Sequence, residues 1–335
     1  MKHLISILIL ISGICLGQNA YYLLPENQSF NLYEKHENEL VKLEELKFNY
    51  TELYAFDTDE MVIVNHDSTK FHYGRVQNSK FEEELVKEFP EKFRINTIEL
   101  KDGFVYLGGR WSEGELFYVF DLRSEEFYPV PIPKEAYQPG KAIDDILFLN
   151  DKIIAVDNIV EPKYLIYYAV KYLPHLKDGE VFKLPFNGSY EHIYKGSVNE
   201  EYLILLSGTA SGWVGFSDHI SILKPNDLNW NFSLSSKPEQ YSGDEIFWKD
   251  ILLVKNKIFI AFRDKSLGVF TIKEQYFLKS ENKDIRSYKD VSTNKIKMHS
   301  EFENKPIKLL PFDSDSIIVI LENEKGQKSF ELIKI

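Results

Sequence analysis

Short apolar runs separated by tight polar turns recur along the chain, and they come in pairs. Leu53–Phe56 turns at 57–60 into Met61–Val64, Ile95–Leu100 turns at 101–103 into Phe104–Leu107, and Ile143–Leu149 turns at 150–152 into Ile153–Val156. The figure returns as His192–Val198 with Tyr202–Leu206, Ile251–Val254 with Ile258–Phe262, and Ile307–Phe312 with Ile317–Leu321. Such runs, rich in β-branched and aromatic residues and bounded by Asn, Asp, Gly and Lys, signal strands rather than helices. Anchored on Thr58, Asp102, Asp151, Glu200, Asn256 and Ser314, the turns lie 44, 49, 49, 56 and 58 residues apart.

Each hairpin leads into a third strand: Phe71–Val76, Leu116–Phe120, Tyr164–Val170, His219–Leu223, Leu267–Ile272 and Ser329–Ile335. A fourth follows in the middle copies, at Phe127–Val130, Val181–Leu184, Trp230–Leu234 and Tyr276–Leu278. Four strands in about fifty residues make one sheet that cannot bury both faces alone, so copies must stack around an axis. A β-sandwich also gives evenly spaced short strands, but a period this regular favours an all-β, six-bladed β-propeller of four-stranded antiparallel blades. The sixth copy stops at its third strand. The β-like segment Phe30–Tyr33 is therefore expected to close the ring as the missing outer strand, covering an edge that would invite aggregation. Two stretches fall outside the repeat. Glu37–Lys47, with Leu40, Val41, Leu43 and Leu46, reads as a short amphipathic helix; Glu281–Lys305 reads as a polar surface insertion.

The N-terminus changes the picture of compartment. Lys2 and His3 precede the apolar run Leu4–Ile14, and Cys15-Leu16-Gly17 offers a peptidase site before Gln18. Residues 1–17 are thus expected to be a signal peptide and 18–335 a single propeller domain, periplasmic or extracellular and not inserted in a membrane once the leader is removed. Ile14 stands where a lipidated cysteine usually has a small residue before it, which disfavours lipid attachment to Cys15. Cys15 is the one cysteine, so the expected mature chain has neither disulfide nor thiol chemistry. A formal charge of −12 without a basic stripe excludes nucleic acid and anionic membrane as favoured partners.

The strand rhythm over nearly the whole expected mature chain resembles the secreted six-bladed propellers of bacteria, the group with NHL-like and TolB-like repeats. That group spans binding scaffolds, lactonases and lyases, so the resemblance implies a fold and leaves both a binding protein and an enzyme open. In such a ring the loops between second and third strands share the ligand face. Two of them place a Trp among glycines: 108–114 with Arg110 and Trp111, and 208–215 with Trp213. With Asp157, Asn158 and Arg263 from equivalent loops, these form the candidate binding set, suited to a protein or carbohydrate ligand. The alternative for each Trp is to cap its own blade. Asn96, Asp144, His192, Asp244, Glu245 and Lys308 are also expected on this face. Carboxylates here could hold Ca²⁺ or act as an acid–base pair. Glu52, Asn96 and Asp145 imitate the Glu, Asn and Asp cluster of propeller lactonases; equally, Asp144 and Asp145 could bond neighbouring backbone N–H groups and pin adjacent blades. No nucleophile elbow, zinc-protease, P-loop or dinucleotide motif occurs, and the histidines lie too far apart to suggest zinc by spacing. The sequence favours a secreted, non-catalytic binding propeller without a cofactor or metal. The alternative is a periplasmic hydrolase or lyase acting on a sugar or lactone.

Overall fold

In the computed structural model the described residues are 21–49, 51, 53–110, 115–136, 142–158, 164–184, 191–209, 217–235, 248–279 and 290–335. All six expected hairpins form, and each opens a blade. Blade 2 comprises β4 (Tyr54–Asp57), β5 (Glu60–Val64), β6 (Lys70–Gln77) and β7 (Lys80–Glu88). Blade 3 comprises β8 (Ile95–Lys101), β9 (Phe104–Gly109), β10 (Phe117–Asp121) and β11 (Glu126–Pro129). Blade 4 comprises β12 (Ala142–Leu149), β13 (Lys152–Asn158), β14 (Tyr164–Ala169) and β15 (Glu180–Lys183). Blade 5 comprises β16 (Glu191–Val198), β17 (Leu203–Thr209), β18 (Ser217–Lys224) and β19 (Asp227–Ser235). Blade 6 opens with β20 (Trp248–Val254), β21 (Lys257–Phe262) and β22 (Ser266–Thr271), and blade 7 has β26 (Lys305–Pro311), β27 (Ser316–Glu322) and β28 (Lys328–Lys334).

The expectation of six blades is wrong: there are seven. Blade 1 is the sheet β1 (Tyr21–Glu26), β2 (Ser29–His36) and β3 (Glu39–Asn49). Phe30–Tyr33 is the middle of that sheet rather than the outer strand of the last blade, so the ring is not closed by an N-terminal strand. The expected helix at Glu37–Lys47 is β3. Its leucines are spaced as on a helix, but the register against β2 shifts between Leu32 and Tyr33, where β3 carries an extra residue. That bulge resets the alternation, so Leu40 faces blade 7 while Leu43 and Leu46 face blade 2. Cross-strand pairing overrides helical spacing here.

Blade 6 brings the second correction. Its outer strand is not Tyr276–Leu278. Residues 274–276 form a single 3₁₀ turn, and β23 (Leu278–Lys279) and β24 (Asp290–Ser292) attach to β19 of blade 5. The outer strand is β25 (Lys297–Glu301), from within the stretch expected to be a polar insertion. Exposed Lys297, Met298 and His299 suit an outer edge and hid the strand from a search for apolar runs.

Seven apolar clusters fill the seven seams, one between each pair of neighbouring blades, including blade 7 against blade 1. The second strands supply most of them, because each is buried on both faces: Met61–Val64, Ile153–Val156, Leu203–Leu206 and Ile317–Ile320 are almost inaccessible. β1 shares this pattern, with Tyr22, Leu23 and Leu24 all buried. It also runs opposite to the inner strands. Tyr22 lies beside Phe312 and Phe56 at the turn end of inner strands β26 and β4, while Asn27 pairs with Lys328 at the other end. Blade 1 therefore supplies a second, third and fourth strand, and no described strand fills its inner position. Ring closure rests on packing, on Tyr22 Oη donating to the Phe312 carbonyl (3.2 Å), and on Lys35 Nζ, which donates to the same oxygen (2.7 Å). No helix among the described residues is long and apolar enough to cross a membrane.

Candidate functional site

The inner strands of blades 3 to 7 place a set of polar side chains around the axis at the point where each strand bulges. The register against the second strand shifts between Ile95 and Thr97, Ile143 and Asp145, Ile193 and Lys195, Trp248 and Asp250, and Pro306 and Lys308. A bulge turns one residue out of the ladder and re-aims its neighbour. Here it delivers Asp145, Lys195, Asp250 and Lys308 to equivalent places on successive blades.

Two of these carboxylates are committed to backbone. Asp145 Oδ2 accepts from the Gly196 N–H of the next blade (2.7 Å), and its Oδ1 accepts from Ile146 N–H (3.0 Å). Asp250 Oδ2 accepts from the Leu309 N–H of the next blade (2.7 Å), and its Oδ1 lies 3.4 Å from Lys195 Nζ. Between them, Ser197 Oγ accepts from Leu253 N–H (3.2 Å). Asn96 Nδ2 donates to the Ile143 carbonyl (3.0 Å) and to Asp144 Oδ1 (2.7 Å). Each seam from blade 3 to blade 7 thus carries a side-chain staple onto the neighbouring inner strand. An inner edge facing the axis has backbone groups that no further strand can satisfy, and short polar side chains serve them.

The charges are coupled. Burial lowers the affinity of Lys195 for its proton, but the carboxylates of Asp250, Asp145 and Glu99 outweigh this and hold the ammonium charged. Burial pushes Asp145 above the ordinary carboxylate range, against the pull of Lys195 and the Gly196 and Ile146 N–H groups. Glu99, one turn of the β8 pleat further along, is pushed up to about 8, by burial first and by the Asp145 charge second. A carboxyl at that value carries its proton at neutral pH. Lys308 Nζ sits 3.9 Å from the centroid of the Tyr54 ring, a cation–π contact between blade 7 and the start of β4 in blade 2.

Of the residues singled out from sequence, Arg110 is exposed at the end of β9, with its N–H donating to the Arg94 carbonyl (2.8 Å). Arg263 is half-buried in the turn between β21 and β22. They lie on blades 3 and 6, and no described contact joins them. The backbone of Asp157 and Asn158 ends β13, paired with Ile143 and Ala142; their side chains lie outside the described residues. So do Trp111, Trp213, Glu52, Asp244, Glu245 and the His192 side chain, so neither the Trp face nor the Glu52–Asn96–Asp145 constellation is tested. Among the described residues no group of His, Cys, Asp or Glu is arranged to hold a metal ion.

The alternative reading of Asp145, a pin between blades, is the one the structure bears out. Sequence reasoning missed Glu99, Lys195 and Asp250. A signal was present: Asp145 and Asp250 each stand four residues before the last paired residue of their inner strands, Leu149 and Val254. Aligning the hairpins on their turns would have superposed them.

No family model matches the chain, and no curated protein matches it. Solved structures do. The structure of U3-55K covers 94% of this chain and 92% of its own, with a TM-score of 0.62 at 8% identity. A putative 6-phosphogluconolactonase from Bacteroides fragilis covers 95% and 96%, with a TM-score of 0.59 at 10% identity. YCF48 bound to D1 peptide covers 95% and 89%, with a TM-score of 0.52 at 11% identity. At such identities these likenesses establish the β-propeller fold over essentially the full length, and one fold carries very different functions.

Proposed function

We propose that this chain is an exported, non-catalytic β-propeller that holds a protein or peptide partner on the face where the loops between second and third strands gather. The observation that carries this reading is the commitment of Asp145 and Asp250. Both of these buried aspartates are held by N–H groups of the neighbouring blade, so they act as fasteners and are poorly placed to exchange protons with a substrate. The likeness to YCF48 bound to D1 peptide is consistent with a peptide-binding role. On this reading the partner meets Arg110, Trp111, Asp157, Asn158, Trp213 and Arg263, which the sequence puts at or between second and third strands. Replacing Trp111 or Trp213 with Ala should weaken partner capture while leaving the melting temperature nearly unchanged. A strongly lowered melting temperature in both would assign those rings to blade packing and end the loop-face reading. Export is tested by mass spectrometry of the secreted chain, expected to begin at Gln18 without lipid.

One observation favours a second reading. Burial and the Asp145 charge push Glu99, on inner strand β8, up to about 8, a range in which a carboxyl can serve a hydrolase or lyase acting on a sugar or lactone as proton donor. Hydrolysis of a sugar lactone by the purified chain, lost in Glu99→Gln, would establish that reading in place of the first.

A further inference from the structure

The last described strand of blade 7 is β28, and among the described residues no strand fills the ladder on its outer side. Lys328 N–H donates to the Asn27 carbonyl (3.0 Å) and its own carbonyl accepts from Asn27 N–H (2.8 Å), so the backbone of residue 328 points away from β27. At the far end Ile335 N–H turns back toward the β27 side, donating to the Asp315 carbonyl (2.7 Å). Alternation then directs the N–H and C=O groups of Phe330, Leu332 and Lys334 outward. Among the described residues no strand pairs with that edge beyond the single Asn27 rung. The side chains along it are half-buried at Phe330, Leu332 and Ile333 rather than charged throughout. Edges left like this usually carry a protective charge, proline or bulge.

A second feature lies at the upper end of the same edge. A cleft of about 350 Å³ opens between blades 1 and 7, lined by Glu26, Asn27, Asn31, Glu45 and Gln327 among others. Its chemistry is one-sided. Glu26 accepts from Tyr33 Oη (2.5 Å) and Lys42 Nζ (2.6 Å). Asn31, 1% exposed, forms a wall whose Oδ1 has no hydrogen-bond partner. Glu45 stands exposed on β3 opposite Asn31. A buried carbonyl oxygen without a donor is costly, and with Glu26 already paired to Lys42 it is the Glu45 carboxylate beside it that favours a cationic donor.

We propose that this seam is a strand-addition site, separate from the loop face, that takes an extended segment of a partner protein as the fourth strand of blade 7. The segment runs antiparallel to β28 and ends in a lysine or arginine in the Glu26–Asn31–Glu45 cleft. Its backbone completes the rungs at Phe330, Leu332 and Lys334, and its alternate apolar side chains cover Phe330, Leu332 and Leu40. An antiparallel strand here runs toward the Asn27 end, which puts the basic residue at its C-terminal side. Main-chain rungs give affinity and the cleft gives selectivity, as in other cases of strand addition.

The probe is a fluorescent synthetic peptide, acetyl-Thr-Val-Thr-Val-Thr-Val-Lys-amide, titrated against the purified full chain. N-methylating alternate peptide amides in one parity should weaken binding about tenfold or more, and in the other parity should change little, because only one set faces β28. Replacing the terminal Lys with Glu, or Glu45 with Gln, should weaken binding by about fivefold at most in the latter case. Leu332→Pro, which removes an outward N–H and leaves the β27 rungs in place, should also weaken it. The N-methyl comparison alters only the probe, so it stands even if a protein variant folds poorly. No binding, or equal effects of the two parities, overturns the proposal. So does concentration-dependent dimerisation lost in Leu332→Pro, which would assign the edge to a second copy of the chain. Unchanged peptide binding in Trp111→Ala and Trp213→Ala is expected, and its loss would move the peptide to the loop face.

Discussion

Blades 3 to 6 and the seam between blades 7 and 1 solve the same burial problem with different parts. In the middle blades, each sheet has at least four strands and polar side chains on the inner strands fasten one blade to the next. At the seam, the described residues place no inner strand in blade 1 and no outer strand in blade 7. Aromatic packing takes over: Tyr22 against Phe56 and Phe312, Tyr33 against Phe330, and Lys35 4.1 Å from the centroid of the Phe312 ring. From blade 3 to blade 7 the seams are thus pinned by polar side chains of the inner strands, whereas between blades 7 and 1 aromatic packing is joined by the hydrogen bonds of Tyr22 and Lys35 to the Phe312 carbonyl.

The sharpest way to break this contrast is at Asp250. Asp250→Ala leaves Lys195 without its nearest carboxylate and Leu309 N–H without an acceptor, and should cost about 3–5 kcal/mol in chemical denaturation. A loss within about 0.5 kcal/mol would show that the inner charges are ornamental to stability. Gly108→Ala should follow. A Cβ there would lie 2.8 Å from the Ile143 carbonyl and 2.5 Å from Thr97 Cγ2, so the blade 3–4 seam must open, at about 1–3 kcal/mol. At the seam, Tyr22→Phe removes one hydrogen bond to the Phe312 carbonyl and keeps the ring packing, so its cost should be near 1 kcal/mol. A larger loss there than at Asp250 would invert the comparison.

The finest test is pH. Glu99 has an ordinary value of 4.5 and is raised to about 8 in the folded chain. The folded state therefore holds a proton that the unfolded state releases, so this residue favours folding below about pH 4.5 and loses that contribution as pH rises through about 8. Glu99→Gln should flatten the fall of melting temperature across that window. If the variant keeps the wild-type slope, the proton does not reside on Glu99, and with it goes the main support for an acid catalyst in the channel.

The same contrast explains what could be seen in the sequence. The six inner hairpins were legible because strands such as Ile153–Val156 and Ile317–Leu321 are buried on both faces and must be continuously apolar. Outer strands face water on one side and rely on partners fixed by the rest of the fold. β7, with Glu82, Glu83, Glu84 and Lys87, and β25, with Lys297 and His299, carry no apolar run to detect. β3 looked helical because its bulge disguises a strand as a helix face. Blade 1 escapes the repeat for a related reason: its described strands start at the second position, so an inner hairpin of the counted kind is not among them. At the ring, Asp145 was visible as a possible pin, whereas Lys195 and Asp250 acquire meaning only when the inner strands are laid side by side.

Whether the inner carboxylates are fasteners is tested most directly by hydrogen exchange at single amides. Leu309 N–H is held by Asp250 across the seam of blades 6 and 7, whereas Leu253 N–H is held by Ser197 across the neighbouring seam of blades 5 and 6. In Asp250→Ala, exchange at Leu309 should accelerate about tenfold or more while Leu253 changes little. Equal protection of Leu309 in both proteins would contradict the account and return Asp250 to the list of groups free to meet a ligand.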